Sequence, residues 1–210
     1  MIGSATSAQI AAEISRFSSL VWHRGLVEAA GGNISARLPG TDAFAITATG
    51  FTLRELPDSA LVEIGISTGQ MMGSSPELRP SKETGMHVAF YRQRPEAGAV
   101  IHCHPPYLVA YSAFCKPLPM PTVTALGLLK FVPAVATAWS GSEKLHLAVE
   151  RALADYPDAR AVILQHHGVI ACGGTLEEAF NRIDLVEKTA RVWYLMQATG
   201  APMPDPSTIG

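Results

Sequence analysis

Apolar positions along this chain recur with two periods, and stretches of one period alternate with stretches of the other. Ile10, Ile14, Phe17 and Val21 are spaced 4, 3 and 4, which makes one face of a helix ending near Gly25. Gly31-Gly32-Asn33 interrupts that pattern, and short pieces at 34–38, 43–47 and 61–67 read as strands. A Gly-, Ser- and Pro-rich run over 69–80 predicts a loop, and a helix over about 81–94 follows, stopped by Pro95. The apolar segment 98–104 predicts a buried strand ended by Pro105-Pro106, with a short helix over 107–114. The proline-spaced stretch 116–140 offers no clean period. Beyond it, Leu145, Val149 and Leu153 mark a helix over 142–155, and strands are expected at 161–165 and 169–172. Thr175-Leu-Glu-Glu178 predicts a capping box opening a long helix to about Gln197.

Strands alternating with helices make this an α/β chain, with helices covering a sheet. The order mixes hairpin-like and crossover connections, which favours a mixed sheet. We expect one domain over 1–199 and a loose Pro-rich tail over 200–210, which has three prolines within 202–206.

Composition narrows the function. The 210 residues carry 16 basic and 18 acidic groups, a net charge of −2, which offers no field for nucleic acid or an anionic membrane. With 48% hydrophobic and 16% charged residues, the chain can fill a core. No stretch of 18 uncharged apolar residues occurs: the nearest, 118–139, is broken by Lys130 and prolines. The N-terminus shows no basic region followed by an apolar run and a cleavage site, so no secretory leader is expected. Cys103, Cys115 and Cys172 are odd in number and widely spaced, which points to reduced thiols in a cytoplasmic protein. A mean hydropathy of +0.18 hints that apolar surface is covered in an oligomer.

Histidines carry the clearest chemistry. His102 and His104 lie two apart on a predicted strand, so both side chains leave one face while Cys103 leaves the other. Two such imidazoles can converge on one ion, or they can simply be a hydrogen-bonded pair at a strand end. His166-His167 ends another apolar strand, where neighbours face opposite sides, so one of the two could complete a three-histidine site with an open position. Glu83 begins a helix, where a carboxylate suits the helix dipole; the alternative is a base beside a metal. Glu83 and His87 are also i, i+4 partners, and a helix-face pair is the simple account of them. His23, His87 and His146 fall on helices, where surface or packing roles suit them. Gly31-Gly32-Asn33, Thr49-Gly50 and Ser81-Lys82 offer the amides, hydroxyls and ammonium that a phosphate wants, though each alone is ordinary turn chemistry.

Gly32-Asn-Ile-Ser-Ala-Arg37, Thr47-Ala-Thr-Gly50, Pro80-Ser-Lys-Glu83, Val100-Ile-His-Cys-His104 and Leu164-Gln-His-His-Gly-Val-Ile-Ala-Cys172 follow one another. In that order the chain resembles the class II aldolases of the fuculose-phosphate aldolase type over roughly residues 8–200. The family also holds ribulose-phosphate 4-epimerases, small decarboxylases and the adducin head domain. The resemblance implies a three-layer α/β/α fold and a homotetramer with active sites between subunits. It places zinc (or Mn2+ or Co2+) on His102, His104 and His167, and the acid/base carboxylate on Glu83. It assigns phosphate binding to Asn33, Thr49, Gly50 and Ser81, with Lys82 standing where a second serine is common. Family epimerases carry aspartate at the Glu83 place, so glutamate favours carbon–carbon cleavage.

Two further departures bear on the reaction. Ala29-Ala30-Gly31 stands where the aldolases place a phosphate-holding threonine. The tyrosine that fuculose-phosphate aldolase takes from a neighbouring subunit falls at or near Val123, and no tyrosine follows Gly200. The expected function is a zinc-dependent carbon–carbon lyase of aldolase type. It would act on a small, phosphorylated hydroxy-ketone through a metal-bound enediolate. The alternatives are decarboxylation of a 3-oxo acid such as a 3-oxo-tetronate 4-phosphate, and a non-catalytic assembly module like the adducin head.

Overall fold

A computed structural model describes residues 6–73, 77–205 and 207. Residues 74–76 of the expected loop, and 206 and 208–210 of the expected tail, lie outside the described residues. Helix α1 (Ser7–His23) opens the chain, followed by strands β1 (Asn33–Arg37), β2 (Ala43–Thr47) and β3 (Leu61–Gly65). Then come α2 (Thr84–Gln93), β4 (Ala99–Cys103), α3 (Pro106–Ser112) and α4 (Val123–Leu128). The chain continues through β5 (Ala134–Val135), α5 (Glu143–Asp155), β6 (Ala161–Leu164), β7 (Gly168–Gly173) and α6 (Leu176–Thr199).

The strands form one sheet in the order β3-β2-β1-β4-β7-β6-β5. Every pair is antiparallel except β5 with β6, so the sheet is mixed, as the connections suggested. The parallel pair is the one joined through a helix, α5, as a crossover requires. Strand alternation gives the two faces different cores. Ile34, Ala36, Ala99, Ile101 and Cys103 join the apolar faces of α1 and α6 on one side. Val62, Ile64, Val100, Ile170 and Cys172 join α2 and α5 on the other. Three layers result, α/β/α.

Several boundaries differ from the periodic reading, each for a local reason. The helix expected from Ser81 starts at Thr84, because Ser81 is spent on a turn: its carbonyl accepts from Thr84 Oγ1 and its Oγ accepts from the Glu83 N–H. Pro106 starts α3 one residue before the expected position, its missing N–H costing nothing there. The unpatterned stretch 116–140 holds α4 and the two-residue edge strand β5, both too short to show a period. The Thr175 box is half formed: Thr175 Oγ1 accepts from the Glu178 N–H, but the Glu178 carboxylate accepts from the Gly174 N–H instead. The complete box is at α1, where Thr6 and Gln9 satisfy each other's amides.

Candidate active site

β1 and β4 build the floor. Their antiparallel register sets Asn33 opposite His102, so both side chains share the face toward α2. Gly32, with φ +76°, precedes Asn33, and a Cβ there would lie 2.9 Å from the His102 carbonyl oxygen. Only glycine lets the loop lie that close. Cys103 lies in the opposite core, as alternation requires.

His102, His104 and His167 come together, their candidate ligand atoms all within 4.8 Å of one another. His102 and His104 Nε2 are 3.0 Å apart. The reason His167 faces this group differs from the expected one. β6 ends at Leu164, so His166 and His167 lie in the turn to β7 rather than on a strand. His167 N–H donates to the Leu164 carbonyl (3.0 Å), and His166 takes a left-handed conformation, φ 56°. That reversal aims His167 inward and leaves His166 exposed.

Glu83, only 4% exposed, lies beneath the imidazoles. Its Oε2 is 3.1 Å from His102 Nε2 and its Oε1 is 3.2 Å from His167 Nε2. Asn33 Nδ2 donates to Oε2 (2.9 Å) and Ser140 Oγ donates to Oε1 (2.6 Å). Burial opposes ionisation of Glu83, but the neighbouring His102, His167 and Ser140 outweigh it and hold the carboxyl well below the usual carboxylate range. His104 moves the other way for an imidazole, down to about 3, because burial and then His102 and His167 disfavour its cation.

The donor set suits a divalent cation. His102 gives its Nδ1–H to the Val169 carbonyl (2.9 Å), so the neutral tautomer presents a lone pair at Nε2. That lone pair faces a carboxylate oxygen and a second imidazole nitrogen at about hydrogen-bond distance. Such an arrangement repels unless a proton or a cation lies among the atoms. Three imidazoles with a carboxylate are ligands that zinc accepts readily.

A cleft of about 170 Å³ opens above Glu83 and His104. Asn33, Thr49, Gly50, Ser81 and Lys82 all line it: the Ala48–Pro80 bridge ties the 47–50 turn to the 79–83 turn, and Asn33 comes from the start of β1. Asn33 differs from the rest: its amide is committed to Glu83 on one side and to His87 on the other. Glu83 and His87 are therefore not a solvated helix-face pair, since His87 is 0% exposed and reaches Glu83 through Asn33. Ser140 escaped the sequence reading because nothing local marks a lone serine. Tyr111 donates its hydroxyl to the Pro117 carbonyl, and no tyrosine lines the cleft among the described residues.

Residues 12–194 match the model of the Class II Aldolase and Adducin N-terminal domain. The chain is 33% identical over 181 residues to an L-fuculose phosphate aldolase of Escherichia coli O6:H1, covering 86% of this chain and 80% of the relative. It is 28% identical over 192 residues to a 3-oxo-tetronate 4-phosphate decarboxylase of Escherichia coli K12, covering 88% and 85%. Among solved structures, an L-fuculose 1-phosphate aldolase superposes with a TM-score of 0.86 at 28% identity, covering 97% of this chain and 92% of that one. Among the described residues no helix is long and apolar enough to cross a membrane.

Proposed function

The chain belongs to the Class II Aldolase and Adducin N-terminal domain family, and from that premise we propose a zinc-dependent aldolase of small, phosphorylated hydroxy-ketones. The observation that carries this reading is the convergence of three imidazoles on one buried carboxylate at the bottom of a polar cleft. His102, His104 and His167 would hold the ion; Zn2+ suits them best, and Mn2+ or Co2+ can use the same ligands. Bound there, the ion supplies Lewis acidity toward the substrate's carbonyl and the neighbouring hydroxyl oxygen.

The remaining work falls to the chain's own groups. Glu83 moves the proton at the carbon next to the carbonyl as the carbon–carbon bond breaks, and the Asn33 amide and Ser140 hydroxyl fix its orientation. Thr49, Gly50 and Ser81 offer amides and hydroxyls to a phosphate, Lys82 offers a positive charge, and Asn33 closes the base of that wall. We further infer a homotetramer in the cytoplasm, with cleft walls completed by neighbouring subunits. Exposed Phe114, Val123, Leu128 and Trp139 supply apolar area for such contacts.

One observation favours a second reading. Aldol cleavage needs a group to take the proton from the departing aldehyde's hydroxyl, whereas decarboxylation releases carbon dioxide and needs none. The cleft of the single chain offers no tyrosine for that task, and Lys82 suits an anionic substrate. Decarboxylation of a 3-oxo-tetronate-like phosphate is therefore the alternative. An assembly role like that of the adducin head has no use for three imidazoles and a buried glutamate held in this arrangement.

The test uses zinc-loaded protein and a panel of ketose 1-phosphates and 3-oxo acids, with aldehyde and carbon dioxide assayed separately. About one zinc per chain and aldehyde release support the aldolase. Carbon dioxide alone moves the assignment to the decarboxylase. No metal and no turnover of any panel member removes both.

A further inference from the structure

We propose that His87 is a positioning residue for proton transfer, fixing which way round the Asn33 carboxamide sits and thereby the orientation of the Glu83 carboxylate. This inference rests on the reading of Glu83 as the proton-transfer group. It starts from a buried chain of hydrogen bonds that the sheet and α2 form together.

Glu83, His87 and Tyr91 are spaced by four, so each is about 6 Å further along one stripe of the helix. Asn33 and Ser35 face that stripe from β1, about 6.7 Å apart. The two repeats nearly match, and the five side chains interleave. Tyr91 Oη lies 2.8 Å from Ser35 Oγ, which lies 2.7 Å from His87 Nδ1. His87 Nε2 lies 2.5 Å from Asn33 Oδ1, and Asn33 Nδ2 lies 2.9 Å from Glu83 Oε2. None of the five is more than 4% exposed, so water does not compete for these bonds.

The direction of donation follows from the two ends. An ionised carboxylate only accepts, so Asn33 must present its amide N–H to Glu83 and its carbonyl oxygen to His87. His87 must then donate from Nε2, and as a neutral imidazole it accepts the Ser35 hydroxyl proton at Nδ1. Ser35 in turn accepts from the Tyr91 hydroxyl. Burial suits this order at the middle of the chain and at its Tyr91 end. It lowers the His87 imidazole to about 3, with His102 adding to the effect, and it raises the Tyr91 phenol.

A carboxamide has nearly the same shape either way round. Flipped, Asn33 would set its oxygen against the Glu83 oxygen and its amide against the His87 Nε2–H, so the donor at position 87 adds a second penalty to the flipped state and holds the amide in place from its other side. Packing alone does not call for histidine here. The neighbouring buried positions of α2 are Met86, Val88 and Phe90, and a buried polar group is costly unless it is bonded.

Two measurements test the proposal, one of them independent of turnover. In zinc-loaded protein labelled with 15N-histidine, long-range 1H–15N correlation should show His87 as the neutral Nε2–H tautomer from pH 6 to 8. Its signals are assigned by their loss in His87→Gln. An Nδ1–H tautomer or an imidazolium overturns the donor order. In kinetics with the panel substrate that is turned over, His87→Leu should lower kcat about 10–100-fold, as loss of such supporting partners does. KM and zinc content should stay within about twofold, and His87→Gln, which keeps an N–H for Asn33, should recover most of kcat. If His87→Leu does not fold, Ser35→Ala serves: freeing Nδ1 should raise the Nδ1–H population and lower kcat together. Unchanged kcat in these variants, with Glu83→Gln still inactive, sinks the role of His87 and leaves that of Glu83. Normal turnover by Glu83→Gln sinks both.

Discussion

β1 and β4 lie side by side, and each presents two sets of side chains to two different surroundings. Toward α1 and α6 they offer Ile34, Ala36, Ile101 and Cys103, an apolar set with no hydrogen bond to satisfy. Toward α2 they offer Val100 together with Asn33, Ser35 and His102, and each of the three polar groups is joined to a partner by a defined bond. The first face is held by volume and area, so its residues are replaceable by others of similar size. The second is held by matched donors and acceptors, where removing one group strands the next. On β1 and β4 the groups that can do chemistry thus all leave one side of the sheet, set within the α2/α5 core, while the other side is apolar throughout. Variants on the two faces should fail in different ways.

The largest effects belong to the polar face. Glu83→Gln keeps the size and most hydrogen bonds but cannot accept a proton as a base, so turnover should fall by roughly 10²–10⁴-fold. Zinc content should hold, because three imidazoles remain. His104→Ala should lose metal and activity together, which separates proton transfer from metal retention. Metal analysis beside single-turnover assays reads both; retained zinc in His104→Ala would remove that residue from the ligand set.

The apolar face should answer with the opposite signature. Ile101 is fully buried in the central strand β4, one residue from His102 in sequence but on the other side of the sheet. Ile101→Ala should cost about 2–5 kcal/mol of stability through lost transfer energy and the cavity left behind. Measured in denaturant, the midpoint should drop, while kcat of the folded fraction at low temperature stays near its normal value. A large loss of kcat without loss of stability would mean that the two faces are not separable.

Thiol chemistry gives a finer probe, because one cysteine is buried on each face. Burial raises Cys103, and burial raises Cys172 to about 11 despite nearby Arg182, Arg160 and Arg94. Cys115 is only half-buried. A disulfide reagent at pH 8 should therefore titrate one thiol quickly in the native protein and three in denaturant. Fast reaction of Cys103 or Cys172 would reveal local opening of the sheet.

The sequence made much of this division legible. Where an element was long enough to show its period, as α1 and α5 are, the apolar face was readable from spacing alone, and the start of α6 was readable from its Thr175 cap. α4 and β5 were not, because six residues and two residues span too little to repeat. The site was readable where a motif named its own residues, and His102 and His104 are such a case: the strand parity that pairs them also turns Cys103 away. Strand parity left His166 and His167 as alternatives and the family resemblance chose His167; the structure replaces the strand with a turn, in which His166 takes a left-handed conformation. His87 was left between a surface and a packing role, paired with Glu83 by i, i+4 spacing; it is buried, and only the register of β1 against α2 shows that Asn33 lies between the two. The Asn33-x-Ser35 alternation on a strand and the 83, 87, 91 spacing were both in view. Neither indicates by itself that the two stripes face each other.

The smallest effect sharpens the comparison from the far side of the apolar layer. Thr6 caps α1 through a complete capping box with Gln9, at an exposed helix end that packs none of the cleft residues. Thr6→Ala strands the amide N–H of Gln9 and should cost about 1 kcal/mol, as loss of an N-cap does. For a chain of this size that lowers the melting temperature by roughly 2–4 °C. Zinc content and kcat, read well below the melting temperature, should not change. The layer order explains why: α1 packs in the apolar layer across the sheet from the cleft, and Thr6 sits at the helix end remote from the 24–32 loop that leads to Asn33. A fall in kcat matching the fall in stability would show that α1 and the cleft open together, and the sheet would then be one cooperative unit rather than two faces with separate duties.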